Sequence, residues 1–219
     1  MAIPGTFRCG DALAVLVEDG QKVRAVRRIE GKSRVTEYDR TNRGLAHFRG
    51  EPTLAPFLTI DRLKGKSFLD LGTGDGQLVV DLSLEKKKQG DSSTVIGVDL
   101  VLKSWQRDQK DNFVEADLTR LPFNDKSFDV IFSWQSVFAY DHLDLIGDGA
   151  TAKFVPQENL VVWIQGLNEI YRVSKPGATI ILNTGSDCFR EQTYRSLIEA
   201  LGFEVKAVVD HGTFILTIK

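Results

Sequence analysis

Three glycines spaced two residues apart, Gly72, Gly74 and Gly76, are the most informative feature of the sequence. They follow a short apolar run and precede an amphipathic stretch, so they predict a tight loop between a strand and a helix. Because glycine has no Cβ, such a loop can turn sharply and approach a ligand closely. A dinucleotide-binding loop would have its third glycine where this chain has Gln77. The spacing therefore disfavours a nicotinamide-dependent dehydrogenase.

Acidic residues surround these glycines. Asp70 precedes the loop and Asp75 lies inside it; carboxylates there repel a pyrophosphate and suit a ligand with cationic groups. Asp99 follows the second predicted strand, 23 residues after Gly76, close to the expected position of a ribose-binding acid. Asp117 follows the third strand, where a carboxylate could accept a hydrogen bond from an adenine amino group. Together they predict a nucleoside site with a cationic tail at the carboxyl ends of parallel strands.

The elements that would position these residues alternate between strand and helix from about Glu51 onward. The predicted strands are Ser67–Leu71, Val95–Val98, Asn112–Ala116, Phe128–Ser133, Ala178–Asn183, Phe203–Val209 and Thr213–Ile218. The predicted helices are Pro56–Leu63, Gln77–Lys88, Leu102–Gln109, a long one from Pro156 to the Pro176-Gly177 break, and Arg190–Leu201. Alternation implies a parallel sheet with right-handed crossovers, and the short final link forces one antiparallel pair. The fold class is an α/β three-layer sandwich.

Two of these helices carry more detailed expectations. In the long helix, apolar residues recur at helical spacing and predict its buried face: Leu160, Val161, Ile164, Leu167 and Tyr171. At the end of the Gln77–Lys88 helix, the run Lys86-Lys87-Lys88 predicts a solvated terminus.

The first fifty residues predict a small antiparallel meander. Ala12–Val17, Val23–Ile29 and Arg34–Tyr38 are strand-like and are separated by the turn signals Asp19-Gly20 and Glu30-Gly31. We therefore divide the chain into an N-terminal extension, residues 1–50, and a ligand-binding domain, residues 51–219.

Several segments together resemble the successive motifs of class I S-adenosylmethionine-dependent methyltransferases. They are Leu69–Gln77, Val95–Asp99, Ala116-Asp117, Leu121–Trp134 and Leu167–Asn183. Within them, Leu121–Ile131 and Leu167–Ala178 are especially similar to the branch of small-molecule enzymes of quinone and sterol biosynthesis. The similarity covers roughly Lys66 to Lys219. It implies a Rossmann-like α/β/α sandwich with a seven-stranded sheet whose last strand is antiparallel.

The resemblance also assigns roles around the cofactor S-adenosylmethionine and its product S-adenosylhomocysteine. By position, Gly72, Thr73, Gly74 and Gly76 would pack against the methionine portion and the ribose. Asp70 would lie near the methionine amino group, and Asp99 would hold the ribose hydroxyls. The residues that would contact the adenine are Leu100, Asp117 and Leu118. Ser133 ends the fourth strand, near the transferred methyl group.

The chemistry implied by this resemblance needs little from the protein. The sulfonium methyl is already activated, so alignment of the nucleophile is the main requirement, and a general base matters only for a protonated acceptor. Trp134, Tyr140 and His142 are weak catalytic candidates; a core aromatic or an exposed loop histidine explains them as well. The long link Tyr140–Val155 leaves the sheet on the cofactor side, so we expect it to form part of the acceptor pocket.

Composition limits the partners. The chain has 219 residues and a net charge of −2, which disfavours whole-surface capture of nucleic acid. Between Gln21 and Gly50, however, nine basic residues face three acidic ones, a charge of +6. A small-molecule acceptor is therefore the first expectation; an RNA or protein acceptor, or a regulatory cofactor-binding module without catalysis, are the alternatives. Cys9 and Cys188 are too few for a disulfide framework or a zinc site. We expect no metal, no membrane span and a cytoplasmic location; the oligomeric state is left open.

Overall fold

The computed structural model describes residues 6–9, 12–18, 23–29, 32–34, 44–100, 102–134, 136–137, 157–183, 191–209 and 212–218. Its main feature is a seven-stranded sheet. The strands are β5 (Phe68–Leu71), β6 (Val95–Asp99), β7 (Phe113–Glu115), β8 (Phe128–Trp134), β9 (Ser174–Asn183), β10 (Phe203–Val209) and β11 (Thr213–Ile218). Their order across the sheet is β10-β11-β9-β8-β5-β6-β7. Six strands run parallel, and β11 runs antiparallel to both of its neighbours. The predicted fold class is confirmed.

Helices cover both faces of this sheet. They are α1 (Leu45–Gly50), α2 (Ile60–Leu63), α3 (Gln77–Lys88), α4 (Ser104–Arg107), α5 (Gln157–Val173) and α6 (Glu191–Ala200), with a short 3-10 helix at Ala55–Phe57. On one face, α5 and α6 bury Trp163, Leu167 and Ile198 against the sheet. On the other, α1 and α3 bury Phe48 and Leu82. The carboxyl ends of the six parallel strands lie along one edge of the sheet, between these two apolar layers.

The N-terminal residues form a separate antiparallel sheet of four strands. These are β1 (Thr6–Cys9), β2 (Ala12–Glu18), β3 (Val23–Ile29) and β4 (Lys32–Arg34), in that order. Arg34–Tyr38, which the sequence predicted as a strand, overlaps β4 only at Arg34. The division of the chain at residue 50 stays a prediction.

Helix α1 lies inside the predicted N-terminal extension but packs on α3. The Asp81 carboxylate of α3 accepts a hydrogen bond of 2.9 Å from the Leu45 amide, at the start of α1. At the other end, the Arg49 guanidinium forms an ion pair with Glu85 at 2.9 Å. The first helix of the chain is therefore fastened to the helix that begins at the glycine loop.

One of the three consecutive lysines at the end of α3 is not solvated as predicted. The Lys86 side chain is 1% exposed. Its ammonium donates to the Leu63 and Lys66 carbonyls, to the Asp91 carboxylate and to the Ser93 hydroxyl. Lys87 and Lys88 are exposed, as expected. The charge of Lys86 is buried because four oxygens replace its water shell.

Within the described part of the chain, the helices are all too short or too polar to span a bilayer.

Candidate functional site

The glycine loop lies where the sequence places it, between the end of β5 and the start of α3. The amides of Gly72 and Thr73 both donate to the Val98 carbonyl, at 2.8 and 2.9 Å. The Gly76 amide donates to the Thr73 carbonyl at 2.9 Å. These bonds fold the loop over the end of β6.

The glycines are required for different reasons. A Cβ on Gly72 would lie 2.2 Å from the Ser136 Cβ, so this position is closed by protein atoms. Among the described residues, no atom would lie within 4 Å of a Cβ on Gly74. Both have positive φ, +73° and +58°, which disfavours any side chain there. Gly74 is thus the point where the loop backbone opens to a ligand, and Gly72 is the point where it packs on the fold.

Asp70 lies beneath this loop and is 4% exposed. Burial raises the pKa of Asp70 to about 7, opposed by the Thr73 hydroxyl and reinforced by the charges of Asp99 and Asp75. An approaching cation would stabilise the carboxylate form and reverse this effect. Three acidic groups, Asp70, Asp75 and Asp99, therefore lie around the glycine loop.

The structure brings Asp99 into direct contact with the loop. One Asp99 carboxylate oxygen accepts a hydrogen bond of 2.9 Å from the Gly74 amide. The Asp99 main-chain carbonyl accepts another, of 3.0 Å, from the Ala116 amide. This second bond sets Asp117 immediately beyond the end of β6. Asp99 ends β6 and Asp117 follows the adjacent strand β7, both on the edge that carries the glycine loop.

Asp117 and its neighbours shape the far side of this edge. The Asp117 carboxylate accepts bonds from the Thr119 amide and hydroxyl, both 2.8 Å, and so fixes the turn after β7. Leu118 is half-buried against the core, and Leu100 is half-buried after β6. These are the two apolar side chains that the resemblance assigned to the adenine.

Ser133 lies near the end of β8, next to the glycine loop. It is 1% exposed, and its hydroxyl shares a hydrogen bond of 2.5 Å with the Ser136 hydroxyl, which in turn donates to the Leu71 carbonyl at 2.6 Å. The two serines join the end of β8 to the end of β5, directly under Gly72. Ser136, which sequence reasoning missed, fills the space that a side chain at residue 72 would need.

Trp134, a weak catalytic candidate, belongs to an aromatic cluster on the α1 face. Its ring stacks on Phe132 with centroids 6.2 Å apart and meets Phe48 of α1 edge-on at 5.2 Å. This packing favours the core-aromatic interpretation of Trp134. Tyr140 and His142 lie outside the described residues.

Gln106 is a second residue that sequence reasoning missed. It lies in α4 and is fully buried at 0% exposure, although its amide is polar. Its Nε2 donates to the Gly74 carbonyl at 3.1 Å, and its Oε1 accepts from the Lys103 amide at 2.7 Å. A glutamine three residues after a polar helix-capping position was the only sequence signal.

These donors and acceptors suit an adenosyl group with a cationic substituent. Asp99 and Asp117 supply carboxylates for hydroxyl and amino donors, Leu100 and Leu118 supply apolar contact, and the loop at Gly74 has room for a ligand. In the described part of the chain, no three histidine, cysteine or acidic side chains gather as a metal site would require.

Comparison with known proteins agrees with this chemistry. Residues 69–182, just over half of the chain, match a family model described as a methyltransferase domain. The model spans β5 to near the end of β9 and so includes the glycine loop, Asp99 and Asp117. No curated protein is significantly similar to the chain in sequence.

Two solved structures with TM-scores above 0.5 share the fold at low sequence identity. A SAM dependent methyltransferase from Aquifex aeolicus is 21% identical, over 78% of this chain and 90% of its own, with a TM-score of 0.52. A protein from Pyrococcus horikoshii OT3 is 18% identical, over 78% and 91%, with a TM-score of 0.51. The [4+2]-cyclase SpnF is 18% identical over 66% of this chain, with a TM-score of 0.44; the chain spans 53% of that cyclase.

Proposed function

The chain belongs to the methyltransferase-domain family, and from this premise we propose that it transfers the methyl group of S-adenosylmethionine to a small-molecule acceptor. The observation that carries the proposal is the contact between the Asp99 carboxylate and the Gly74 amide. This hydrogen bond joins Asp99, which is expected to bind the ribose, to the glycine loop, which is expected to pack against the methionine portion. The quinone and sterol branch and the cytoplasmic location stay predictions.

The residues around the loop fit this cofactor. Asp99 and Asp117 would hold the ribose hydroxyls and the adenine amino group, and Leu100 and Leu118 would flank the adenine ring. Asp70 would face the cationic methionine end, where its buried carboxylate is stabilised by positive charge. The space over Gly74 would admit the backbone-to-ligand approach that a side chain would block.

When bound, S-adenosylmethionine supplies an activated methyl group that a nucleophile displaces in line, with the sulfur as leaving group. The chain's contribution is to bind and orient. The glycine loop would hold the methionine portion and the ribose, and Asp99 would hold the ribose hydroxyls. Holding both reactants in this geometry lowers the entropic part of the barrier.

A small acceptor is favoured over a polyanion by charge. Outside Gln21–Gly50 the chain carries −8, and the site itself gathers Asp70, Asp75 and Asp99. Such a field repels phosphates near the cofactor. The basic segment Gln21–Gly50 supports the RNA or acidic-protein alternative, for which binding would fall steeply with salt.

Calorimetric titration with S-adenosylmethionine and S-adenosylhomocysteine tests the proposal, followed by an acceptor screen that reads S-adenosylhomocysteine release. We expect both ligands to bind and Asp99→Ala to weaken them by roughly 100-fold, because hydrogen bonds to a charged group are lost. Asp111→Ala is the matched control, since Asp111 is exposed and lies before β7, at the opposite edge. A folded protein that binds neither ligand would refute the proposal, and binding without turnover of any acceptor would favour a regulatory module.

A further inference from the structure

We infer that Gln106 is a positioning residue for the cofactor: by holding the Gly74 carbonyl, it keeps the Gly74 amide on Asp99 and so sets the Asp99 carboxylate for the ribose. The inference rests on the proposed function, because it assigns Asp99 to the cofactor. It adds a residue from α4, outside the glycine loop and the two aspartates, to the machinery of binding.

The first step is the orientation of the Gln106 amide. The Lys103 amide can only donate and the Gly74 carbonyl can only accept. One orientation alone satisfies both, with Oε1 toward Lys103 at 2.7 Å and Nε2 toward Gly74 at 3.1 Å. The side chain has no exposed surface, so water does not compete for these bonds. Gln106 is therefore a fixed donor aimed at one carbonyl of the loop.

The second step is the position of Gly74 between two partners. Its amide donates to Asp99 at 2.9 Å, and its carbonyl accepts from Gln106 at 3.1 Å. These two groups belong to the peptide planes on either side of the Gly74 Cα, so together they fix both of its dihedrals. Gly74 has a φ of +58°, and a glycine is otherwise free to leave this conformation. Gln106 removes that freedom at the residue that opens to the ligand.

The third step is the space that admits Gln106. A Cβ on Gly76 would lie 2.7 Å from Gln106 Nε2 and 2.6 Å from a ring carbon of Phe113. The absence of a side chain at residue 76 thus makes room for the glutamine head group under the loop. A side chain at residue 76 would clash with Gln106 and Phe113, which is a structural reason for glycine at this position.

The fourth step joins Gln106 to the ribose through Asp99. Asp99 ends β6, and α4 begins five residues later, so the acid and its supporting glutamine come from one connection. A carboxylate can accept about four hydrogen bonds. With one Asp99 oxygen held by the Gly74 amide, rotation of the carboxylate relative to the loop is restricted, which favours the binding of two adjacent hydroxyls. Loss of Gln106 would free Gly74 and lower this preorganisation.

The test replaces Gln106 with methionine, which keeps the length and removes both hydrogen bonds. We expect Gln106→Met to weaken S-adenosylhomocysteine by about 10-fold or more, as loss of preorganisation does, and to raise the KM for S-adenosylmethionine with little change in kcat. In the ligand-free protein, hydrogen exchange at the Gly74 and Gly76 amides should become faster. Gln109→Met is the matched control, because Gln109 is exposed and its side chain lies beyond the end of α4.

Two further measurements separate positioning from a general loss of stability. In an Asp99→Ala background, Gln106→Met should cost no additional affinity, since both changes act through one carboxylate. With the 2′-deoxy analogue of S-adenosylhomocysteine, the effect of Gln106→Met should shrink. If Gln106→Met is too unstable to purify, Gln106→Asn, whose amide is one methylene shorter, is measured in the same way.

The outcomes distinguish the inference from the function on which it rests. If the unmodified protein binds neither cofactor form, the proposed function fails and the inference fails with it. If the unmodified protein binds and Gln106→Met binds equally well, with unchanged exchange at Gly74, only the inference is overturned. Equal weakening of all ligands, additive with Asp99→Ala, would also overturn it and leave Gln106 a purely structural residue.

Discussion

At the scale of the residue, Asp70 shows how one buried group can couple binding to pH. Its carboxyl is 4% exposed and lies near two other acids, and burial raises its pKa to about 7. In the unfolded chain an aspartate titrates near 4. The folded state therefore binds more protons than the unfolded state between about pH 4 and pH 7. The contribution of Asp70 to stability is consequently largest below pH 4 and is lost as the pH rises toward 7.

We predict opposite pH trends for cofactor affinity and for ligand-free stability. If Asp70 faces the cationic methionine end, binding requires the carboxylate, so affinity should fall up to about tenfold per pH unit below pH 7. Calorimetry in buffers of different ionisation enthalpy should detect release of a proton on binding near pH 7. Asp70→Asn should bind more weakly at pH 8, with a flat pH profile. In its ligand-free state it should melt at a higher temperature there, because no buried charge must form.

The Asp99→Asn variant provides the comparison for this prediction. It changes the same type of residue at the same edge, but Asp99 is only half-buried. A pH-dependent affinity that persists in Asp70→Asn would show that another group is responsible.

The limits of sequence reasoning at this scale follow from side-chain orientation. The glycines and aspartates stand next to each other in sequence or at strand ends, so their type and spacing were enough to place them together. Gln106 and Ser136 act on the loop from 32 and 64 residues away from Gly74 and Gly72. Amide and hydroxyl side chains are common on protein surfaces. The contacts of Gln106 and Ser136 with the loop depend on their burial and orientation, which the sequence does not show. Trp134 shows the reverse case, since a residue that the sequence named as a catalytic candidate packs with Phe48 and Phe132.

At the scale of the element, two segments that carry the family resemblance support each other. The Arg172 guanidinium of α5 donates to the Leu121 and Phe123 carbonyls and forms ion pairs with Asp125 and Glu169. The Leu121 amide in turn donates to the Glu169 carboxylate at 2.7 Å. This network fastens the segment before β8 to the end of α5. Residues in Leu121–Ile131 and Leu167–Ala178 therefore have a structural role that is independent of the acceptor.

Two errors at this scale have physical causes. On α5 the buried stripe includes Trp163, Leu167 and Ile170, whereas Tyr171 is 39% exposed and packs edge-on against Phe203. The apolar residue types of α5 do not by themselves show which of two neighbouring rows of side chains faces the core. The helix also ends at Val173, and Pro176-Gly177 lies inside β9. The pairing of β8 with β9 is irregular here, since Phe128 pairs with Ser174 but Val130 pairs with Thr179. Pro176 lies in this irregular stretch of β9, where a residue without an amide hydrogen is tolerated.

The buried lysine of α3 gives the stability prediction for this scale. Lys86 joins the end of α2 to the Asp91–Ser93 segment before β6, with Lys86 and Asp91 side chains 1% and 6% exposed. We expect Lys86→Met to lower the free energy of unfolding by about 3 kcal/mol, because it leaves a buried carboxylate without its cation. Urea denaturation measures the difference. Lys87→Met is the control, and its effect should stay within about 0.5 kcal/mol because Lys87 is exposed. Similar losses in the two variants would contradict the prediction.

At the scale of the whole molecule, basic and acidic residues lie in different parts of the chain. The basic segment Gln21–Gly50 includes β3, β4 and α1, and Arg49 within it is already paired with Glu85. The carboxyl edge of the main sheet carries the acids instead. The parallel direction of the strands follows from the alternation of strands and helices in the sequence, and the antiparallel last pair follows from the short final link. The identity of the acceptor does not follow from the fold, because the strand ends position the expected cofactor site and the connecting segments form the acceptor side.

The last prediction concerns the longest of these connections. Strand β8 ends at Trp134, on the edge that carries the glycine loop, and α5 begins at Gln157. We expect replacement of residues 140–155 by a short glycine-serine linker to abolish methyl transfer, because we place this segment in the acceptor pocket. The Kd for S-adenosylhomocysteine should stay within about threefold of the original value, because no expected cofactor contact is removed. A scrambled segment of the same length separates sequence from length. His142→Ala and Tyr140→Phe then show whether one side chain accounts for the loss. Full turnover with the short linker would exclude the segment from the acceptor site and direct attention to the ends of β8 and β9, where Trp134 and Asn183 are paired in register.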